Sequence, residues 1–137
     1  MSARFVLTGV TGGLGEKILN DMLNVHKVTP SDIVATSRSE SNRARFESLG
    51  VQFRVADYDR LDTLETAFKD ADNLLFMSSS ERDTSKRNRE HTNVVEGAKK
   101  VKAKKVWYVS LAFGGYEDSS SIFFQAAHYE TENQLKR

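Results

Sequence analysis

Apolar positions along the chain switch between two periods. Arg4-Phe-Val-Leu-Thr8 is a short apolar run ending in a glycine-rich turn, the pattern of a buried strand. From Leu14 the period lengthens. Leu14, Ile18, Met22 and Val25 are spaced four, four and three apart, with Leu19 and Leu23 beside them, and predict one face of a helix. Pro30 closes the connection after it, because proline cannot continue a helix. Ile33-Val-Ala-Thr36 predicts the second strand. Ser39 or Ser41 caps a short helix that stops at Gly50. In Val51–Asp57 apolar and mostly polar residues alternate, which predicts a strand wet on one side and therefore at a sheet edge. The other strands are continuous apolar runs, as in strands covered on both faces.

Asp62-Thr-Leu-Glu65 resembles a capping box, opening a helix lined by Leu61, Leu64 and Phe68. Asn73-Leu-Leu-Phe-Met77 predicts strand four, closed by Ser78-Ser79-Ser80. The longest helix is expected from about residue 82 to 102, amphipathic through Val94, Val95, Ala98 and Val101. Val106-Trp-Tyr-Val-Ser110 predicts strand five, with Trp107 and Tyr108 in the core. A loop holding Gly114-Gly115 and Ser119–Ser121 leads to a last helix that starts near Ile122 and is still running at Arg137.

Strands alternating with helices imply parallel strands joined by right-handed crossovers. The expected fold is α/β, a doubly wound, Rossmann-like parallel sheet of five strands in the order 3-2-1-4-5, occupying 1–137 as one unit without repeat or linker. The 137 residues suffice for one core. There is no cysteine, which excludes disulfides, thiolate catalysis and Cys-based zinc sites. Lys+Arg number 20 and Asp+Glu 19, a net charge of +1 that makes no electrostatic case for nucleic acid or an anionic membrane as partner. No apolar run approaches the roughly 18 residues of a membrane span, and the opening MSARFVLTGV is too short for a secretory signal, so the expected location is cytoplasmic.

The strongest chemical signal is Gly9-Val-Thr11-Gly12-Gly13-Leu14-Gly15, glycines at every third position between the first strand and the first helix. In a doubly wound sheet this turn lies at the carboxyl ends of the strands, where ligands bind. Gly9 permits the tight turn, Gly12 lets the backbone approach a pyrophosphate, and Gly15 allows close helix-to-strand packing. The helix N-terminus adds free N–H groups and partial positive charge. The expectation is dinucleotide binding; a glycine turn serving packing alone is the alternative. A Walker-type loop fails because Glu16 intervenes between Gly15 and Lys17. A response-regulator site fails because Thr8-Gly9 supplies no carboxylate.

An NAD site places an acid at the end of strand two. Here that end reads Ala35-Thr36-Ser37-Arg38, with no acid and one guanidinium suited to a 2′-phosphate, so NADP (as NADPH) is favoured over NAD. A solvated surface arginine is the alternative. Asp57-Tyr58 falls near the adenine, or in an ordinary turn. Ser78, Ser79 and Ser80 pass beside the middle of the cofactor, and Ser110 and Leu111 approach its nicotinamide end.

No tyrosine carries lysine four residues on: Asp62, Ala112, Ser120 and Asn133 occupy those positions, so the usual Tyr-x-x-x-Lys acid–base pair is missing and no catalytic residue is assigned. The three histidines, His26, His91 and His128, show no metal-ligand spacing. His128 reads as structural or surface, with the substrate side as the alternative; Glu130 and Glu132 read as solvated helix residues rather than catalytic acids; Arg82, Lys86, Arg87 and Arg89 read as a solvated face, with phosphate contact as the lesser option.

These residues together resemble the NmrA-like group of atypical short-chain dehydrogenases/reductases. The resemblance rests on Thr8–Gly15, Ser37-Arg38, Ala56-Asp57-Tyr58, Leu74–Ser80, Asn93-Val-Val and His128-Tyr-Glu-Thr-Glu132, and covers the whole chain. Within the group the chain is most similar to the type 2 NADPH:quinone oxidoreductases and triphenylmethane reductases. The resemblance implies an NADPH-dependent oxidoreductase passing hydride to a quinone or similar conjugated acceptor. The competing reading is a non-catalytic, NADP-sensing NmrA-like regulator that binds dinucleotide and a partner protein. Some relatives carry a lysine where Glu132 stands, so lysine-based proton transfer does not carry over. The group's chains are typically twice this length. Strand five, with no charge, proline or bulge to protect its edge, is expected to take a further strand from a missing second half or by self-association.

Overall fold

The computed structural model describes residues 4–110 and 123–137. The loop of Gly114-Gly115, Leu111 and the expected helix start at Ile122 fall outside those residues. Five parallel strands form one sheet: β1 (Phe5–Leu7), β2 (Ile33–Ser37), β3 (Gln52–Val55), β4 (Asn73–Met77) and β5 (Lys105–Val109). Their order is β3-β2-β1-β4-β5, as the sequence pattern implies. The register aligns Val6 with Val34 on one side and Leu74 on the other. All five strands therefore point their carboxyl ends the same way, and the polar residues that follow them converge on one rim of the sheet.

Helices α1 (Gly13–Asn24), α2 (Arg43–Glu47), α3 (Leu61–Ala67), α4 (Thr84–Lys100) and α5 (Phe123–Lys136) flank the sheet. The sheet separates two apolar clusters. One joins Val6, Val34, Leu74 and Phe76 to Leu64, Phe68, Val94 and Ala98 of α3 and α4. The other joins Leu7, Ile33, Ala35 and Phe53 to Leu19 of α1 and Phe46 of α2. Among the described residues no helix is long and apolar enough to cross a membrane.

Four local expectations are corrected. In α1 the stripe facing the sheet is Gly15 and Leu19 with Met22 and Leu23. Leu14 and Val25, at either end of the expected face, are exposed. The helix is rotated because Gly15 must lie against the β1 turn. Asp62 forms no cap, since α3 begins at Leu61 and leaves Asp62 inside the first turn, paired with Arg60. Thr63 closes that end instead, receiving Asp57 N–H at 2.9 Å and donating to the Arg60 carbonyl at 2.7 Å. Helix α4 starts at Thr84, where the Asp83 carboxylate accepts Lys86 N–H at 2.8 Å. Trp107 is 58% exposed. It pairs in register with Leu75 on an edge strand, and no described element covers that face of β5. Continuous apolar character thus overstates how fully β5 is covered.

Close backbone contact fixes the β1–α1 junction. Gly9 takes φ +68°, and a Cβ there would meet the Met77 side chain at 2.5 Å. A Cβ on Gly15 would stand 2.0 Å from the Gly9 carbonyl oxygen, which is backbone and cannot swing aside.

A polar web joins the strand ends. Thr8 Oγ1 donates to the Leu75 carbonyl at 3.1 Å and accepts Met77 N–H at 2.9 Å, tying β1 to β4. The Tyr58 hydroxyl reaches Thr8 Oγ1 and the Met77 carbonyl, each at 2.7 Å. Burial holds the Tyr58 hydroxyl above the usual phenol range. His91 is fully buried between Phe76 and Tyr108. Its Nε2 accepts Ser79 N–H at 2.9 Å. Its Nδ1 lies 2.7 Å from Thr131 Oγ1, whose own hydrogen goes to the Ala127 carbonyl at 2.9 Å. Nδ1 therefore carries the proton and the ring is neutral.

Two outcomes follow from this packing. Gly15→Ala is expected to lower stability by roughly 1–3 kcal/mol, because strain from the Gly9 carbonyl outweighs the helix propensity gained. Urea unfolding of the two proteins measures it. Burial and the nearby Arg87 charge push His91 down to about 3 from the ordinary 6.5, and His128 is lowered in the same direction. Below about pH 6.5 the unfolded chain takes up protons that the folded chain refuses. Stability should therefore fall as pH drops from 6.5 to 5, by at most about 1.4 kcal/mol per unit from His91. Carboxylates with lowered values add to the loss only further down. His91 ring resonances that titrate between pH 8 and 5 would contradict the assignment.

Candidate functional site

A cavity of about 430 Å³ opens at the carboxyl ends of β1, β2 and β4, within the range of small-molecule sites. Thr8, Gly9, Thr11 and Gly12 form its floor at the end of β1. Thr36, Ser37, Arg38, Ser39 and Asn42 form the β2 side. Ala56 and Tyr58 come from the end of β3. Met77, Ser78, Ser79 and Ser80 form the β4 side, with Glu90 of α4 behind them.

The floor suits an anion. Gly12 is the N-cap of α1 and offers no capping side chain, so the first N–H groups of a twelve-residue helix lack an acceptor within it. A Cβ on Gly12 would meet only the Gly9 carbonyl oxygen, at 3.6 Å. The space before those N–H groups is open, and a side chain there would be accommodated by the fold while narrowing the cavity. The residues present fit a dinucleotide whose pyrophosphate rests on that helix end.

On the β2 side, Arg38 is exposed and makes no hydrogen bond or ion pair with another described residue. The loop around it is ordered without it. Ser37 Oγ accepts from Asn42 Nδ2 at 2.9 Å, and Ser39 Oγ accepts Ser41 N–H at 3.3 Å. Among the described residues no carboxylate lines this end of the cavity.

On the β4 side the backbone of Ser79 is held by His91, and its hydroxyl donates to the Glu90 carboxylate. Ser78 Oγ receives Arg87 Nη2 at 2.7 Å, while Arg87 Nε is buried without a partner. Arg87 is thus half-buried at the strand ends and does not belong to the solvated face expected of it.

Of the expected site residues, Gly9, Thr11, Gly12, Arg38, Tyr58, Ser78, Ser79 and Ser80 line the cavity. Gly13, Leu14 and Gly15 form the first turn of α1 beside it rather than part of its wall. Asp57 lies outside the wall because its carboxylate closes the β3–α3 turn by accepting Asp59 N–H at 3.0 Å. Ser110 follows β5, apart from the cavity, and donates to Glu132 Oε1 at 2.5 Å. Leu111 lies outside the described residues. In α5, His128 is structural, buried with its Nδ1 on the Tyr108 hydroxyl, whereas Glu132, expected to be solvated, is half-buried on Ser110. Burial pushes Tyr108 up to about 12. Sequence reasoning missed Thr8, Thr36, Ser37, Ser39, Asn42 and Glu90. The polar cluster at the end of β2 and just after it offered a signal for the middle four, whereas Glu90 was hidden in a charged stretch.

Comparison with known proteins places this geometry. The chain is 47% identical over 135 residues to the NmrA-like family domain-containing oxidoreductase flvB of Aspergillus flavus, covering 97% of this chain and 43% of that protein. It superposes on triphenylmethane reductase of Citrobacter sp., solved with NADP(H), with a TM-score of 0.86 at 28% identity, covering 96% of this chain and 45% of that one. The NADPH-dependent quinone oxidoreductase QOR2 of Escherichia coli, solved with NADPH, gives a TM-score of 0.83 at 32% identity, covering 96% and 44%. The chain spans under half the length of each of these proteins. With residues 9–136 matching that family, the chain belongs to the NAD(P)H-binding family.

Proposed function

We propose that this chain binds NADPH in preference to NADH and serves hydride transfer to a quinone or similar conjugated acceptor. The observation that carries the reading is Arg38: a guanidinium with no partner among the described residues, lining the cavity with Ser37, Ser39 and Asn42 at a β2 end where no described carboxylate joins them. A 2′-phosphate meets a charge-assisted donor there, whereas a 2′-hydroxyl finds no acid to accept its hydrogen. Triphenylmethane reductase and QOR2, solved with NADP(H) and NADPH, support the NADPH half of the reading, and the quinone oxidoreductase QOR2 the quinone half.

Bound in this cleft, NADPH supplies the hydride. The chain contributes positioning. The open N-terminus of α1 receives the pyrophosphate, Arg38 holds the adenosine end, and the Ser78–Ser80 segment, fixed by His91, supports the other half. A quinone needs little more, because its reduced oxygens are weakly basic and water can supply the proton that accompanies the hydride. The absence of Tyr-x-x-x-Lys fits that chemistry. It also favours the second reading, a regulator that binds the dinucleotide without turnover.

The open edge of β5, with Trp107 exposed beside it, supports a further proposal: a strand from a longer chain or from a second copy completes the sheet there. A dilute, strictly monomeric mass in solution for this chain would leave the second copy without support.

Three measurements test the cofactor reading. NADPH should bind more tightly than NADH, and Arg38→Ala should remove the preference, a change of about 10- to 150-fold. Gly12→Val should fold normally yet lose NADPH, since its side chain fills the pyrophosphate approach. Loss of reduced-nicotinamide absorbance on adding a small quinone supports the enzyme; tight NADPH binding without turnover supports the regulator. Equal affinity of the unmodified protein for the two cofactors would overturn the NADPH preference.

A further inference from the structure

Glu90 is the only buried carboxylate among the described residues, at 4% exposure. A buried carboxylate is costly unless hydrogen bonds or a cation offset its lost hydration. No described cation lies within ion-pair distance of it; its recorded partner is the Ser79 hydroxyl. Ser79 is itself held, by His91 at its N–H, while its oxygen accepts Glu81 N–H at 3.1 Å. The carboxylate is therefore fixed in direction. Glu90 is part of the wall of the cavity that Ser78 to Ser80, Gly9 and Gly12 also line.

An ionised carboxylate accepts hydrogen bonds and donates none, and its two oxygens offer about four acceptor positions. One is taken by Ser79. A hydroxyl-bearing ligand in the cleft can fill the rest, whereas a phosphate placed there would be repelled. On a dinucleotide the donors of that kind along the backbone are ribose hydroxyls. The sheet order decides which ribose. The anion floor lies at the end of β1, Arg38 lies toward β2, and Glu90 lies behind β4 on the opposite side. A dinucleotide crosses such a cleft where the strand order reverses. With the 2′-phosphate on the β2 side, the ribose on the β4 side is the one attached to nicotinamide.

We propose that Glu90 holds the nicotinamide-side ribose by accepting hydrogen bonds from its hydroxyls. The assignment rests on the NADPH reading above and adds to it the group that orients the reactive half of the cofactor. Ser79 is its positioning residue.

The test compares NADPH with adenosine 2′,5′-bisphosphate, which carries the adenine half and lacks the second ribose. Calorimetric titration of the unmodified chain, Glu90→Ala and Glu90→Gln with both ligands separates the contributions. Glu90→Ala should weaken NADPH about tenfold or more and leave the bisphosphate unchanged. Glu90→Gln, which keeps the shape and one acceptor oxygen, should fall between and carries the test if the alanine variant does not fold. Equal losses for both ligands would mean that Glu90 merely supports the cleft, and would overturn the assignment. Unchanged or tighter NADPH binding by the variants would overturn it as well. If the unmodified chain binds neither ligand, the cofactor reading itself fails, and Glu90 with it. If it binds both and only the split between ligands is missing, the cofactor reading stands and the role of Glu90 falls.

Discussion

The contact between the backbone of Gly15 and the carbonyl of Gly9 is the constraint on which the rest of the structure depends. It brings the start of α1 against the end of β1 at a distance that no side chain tolerates. That approach aims the N-terminus of α1 into the crevice rather than over the sheet. It also sets the rotation of the helix, which is why Leu19 is buried and Leu14 is not. Because β1 is central, flanked by β2 and β4, the position of this one turn determines what the neighbouring strand ends can reach. Arg38 and Glu90 face a common space only because the turn leaves that space open.

Around the turn the fold spends its buried hydrogen bonds on aligning strand ends. Thr8 stitches β1 to β4, Tyr58 braces both from β3, and Asn93 Nδ2 donates to the Tyr58 carbonyl at 2.8 Å, fixing that brace to α4. His91 extends the web through Ser79 to α5. Such networks are stable in a low-dielectric interior only when their members are satisfied together. The recurrence of hydroxyls at this rim thus has a structural cause apart from ligand contact: they are small donors and acceptors that fit between parallel strand ends.

Much of this was legible in the residues. Strand order followed from alternation and handedness, and the glycine spacing located the cleft. Arg38 stood out because an acid was missing beside it. What was not legible depended on rotation and coverage. Periodicity defines a helical stripe to within a residue or so, so it could not tell Leu14 from Gly15 as the inward position. Apolar composition suggested a buried β5, but burial requires a covering layer, and Trp107 is 58% exposed with no described element over it. Glu90 and His91 sat in a stretch dense with charge, where the prior favours solvent. Only the packing of α4 on β4 shows that these two adjacent residues face inward. Asp57 was ambiguous for a different reason: a carboxylate at a strand end serves a turn as readily as a ligand, and here it accepts Asp59 N–H.

Trp107 is the only tryptophan in the chain, and it lies at the β5 edge with its indole N–H on Asn73 at 3.2 Å. The intrinsic fluorescence of this protein therefore comes from a solvated ring outside both apolar clusters. A ring already 58% exposed loses little shielding on unfolding, so it is a poor gauge of whether the core is intact. It is instead a local reporter of the sheet margin: whatever settles against β5 changes the polarity around the indole, while events at the glycine turn, two strands away, leave it nearly dark to them.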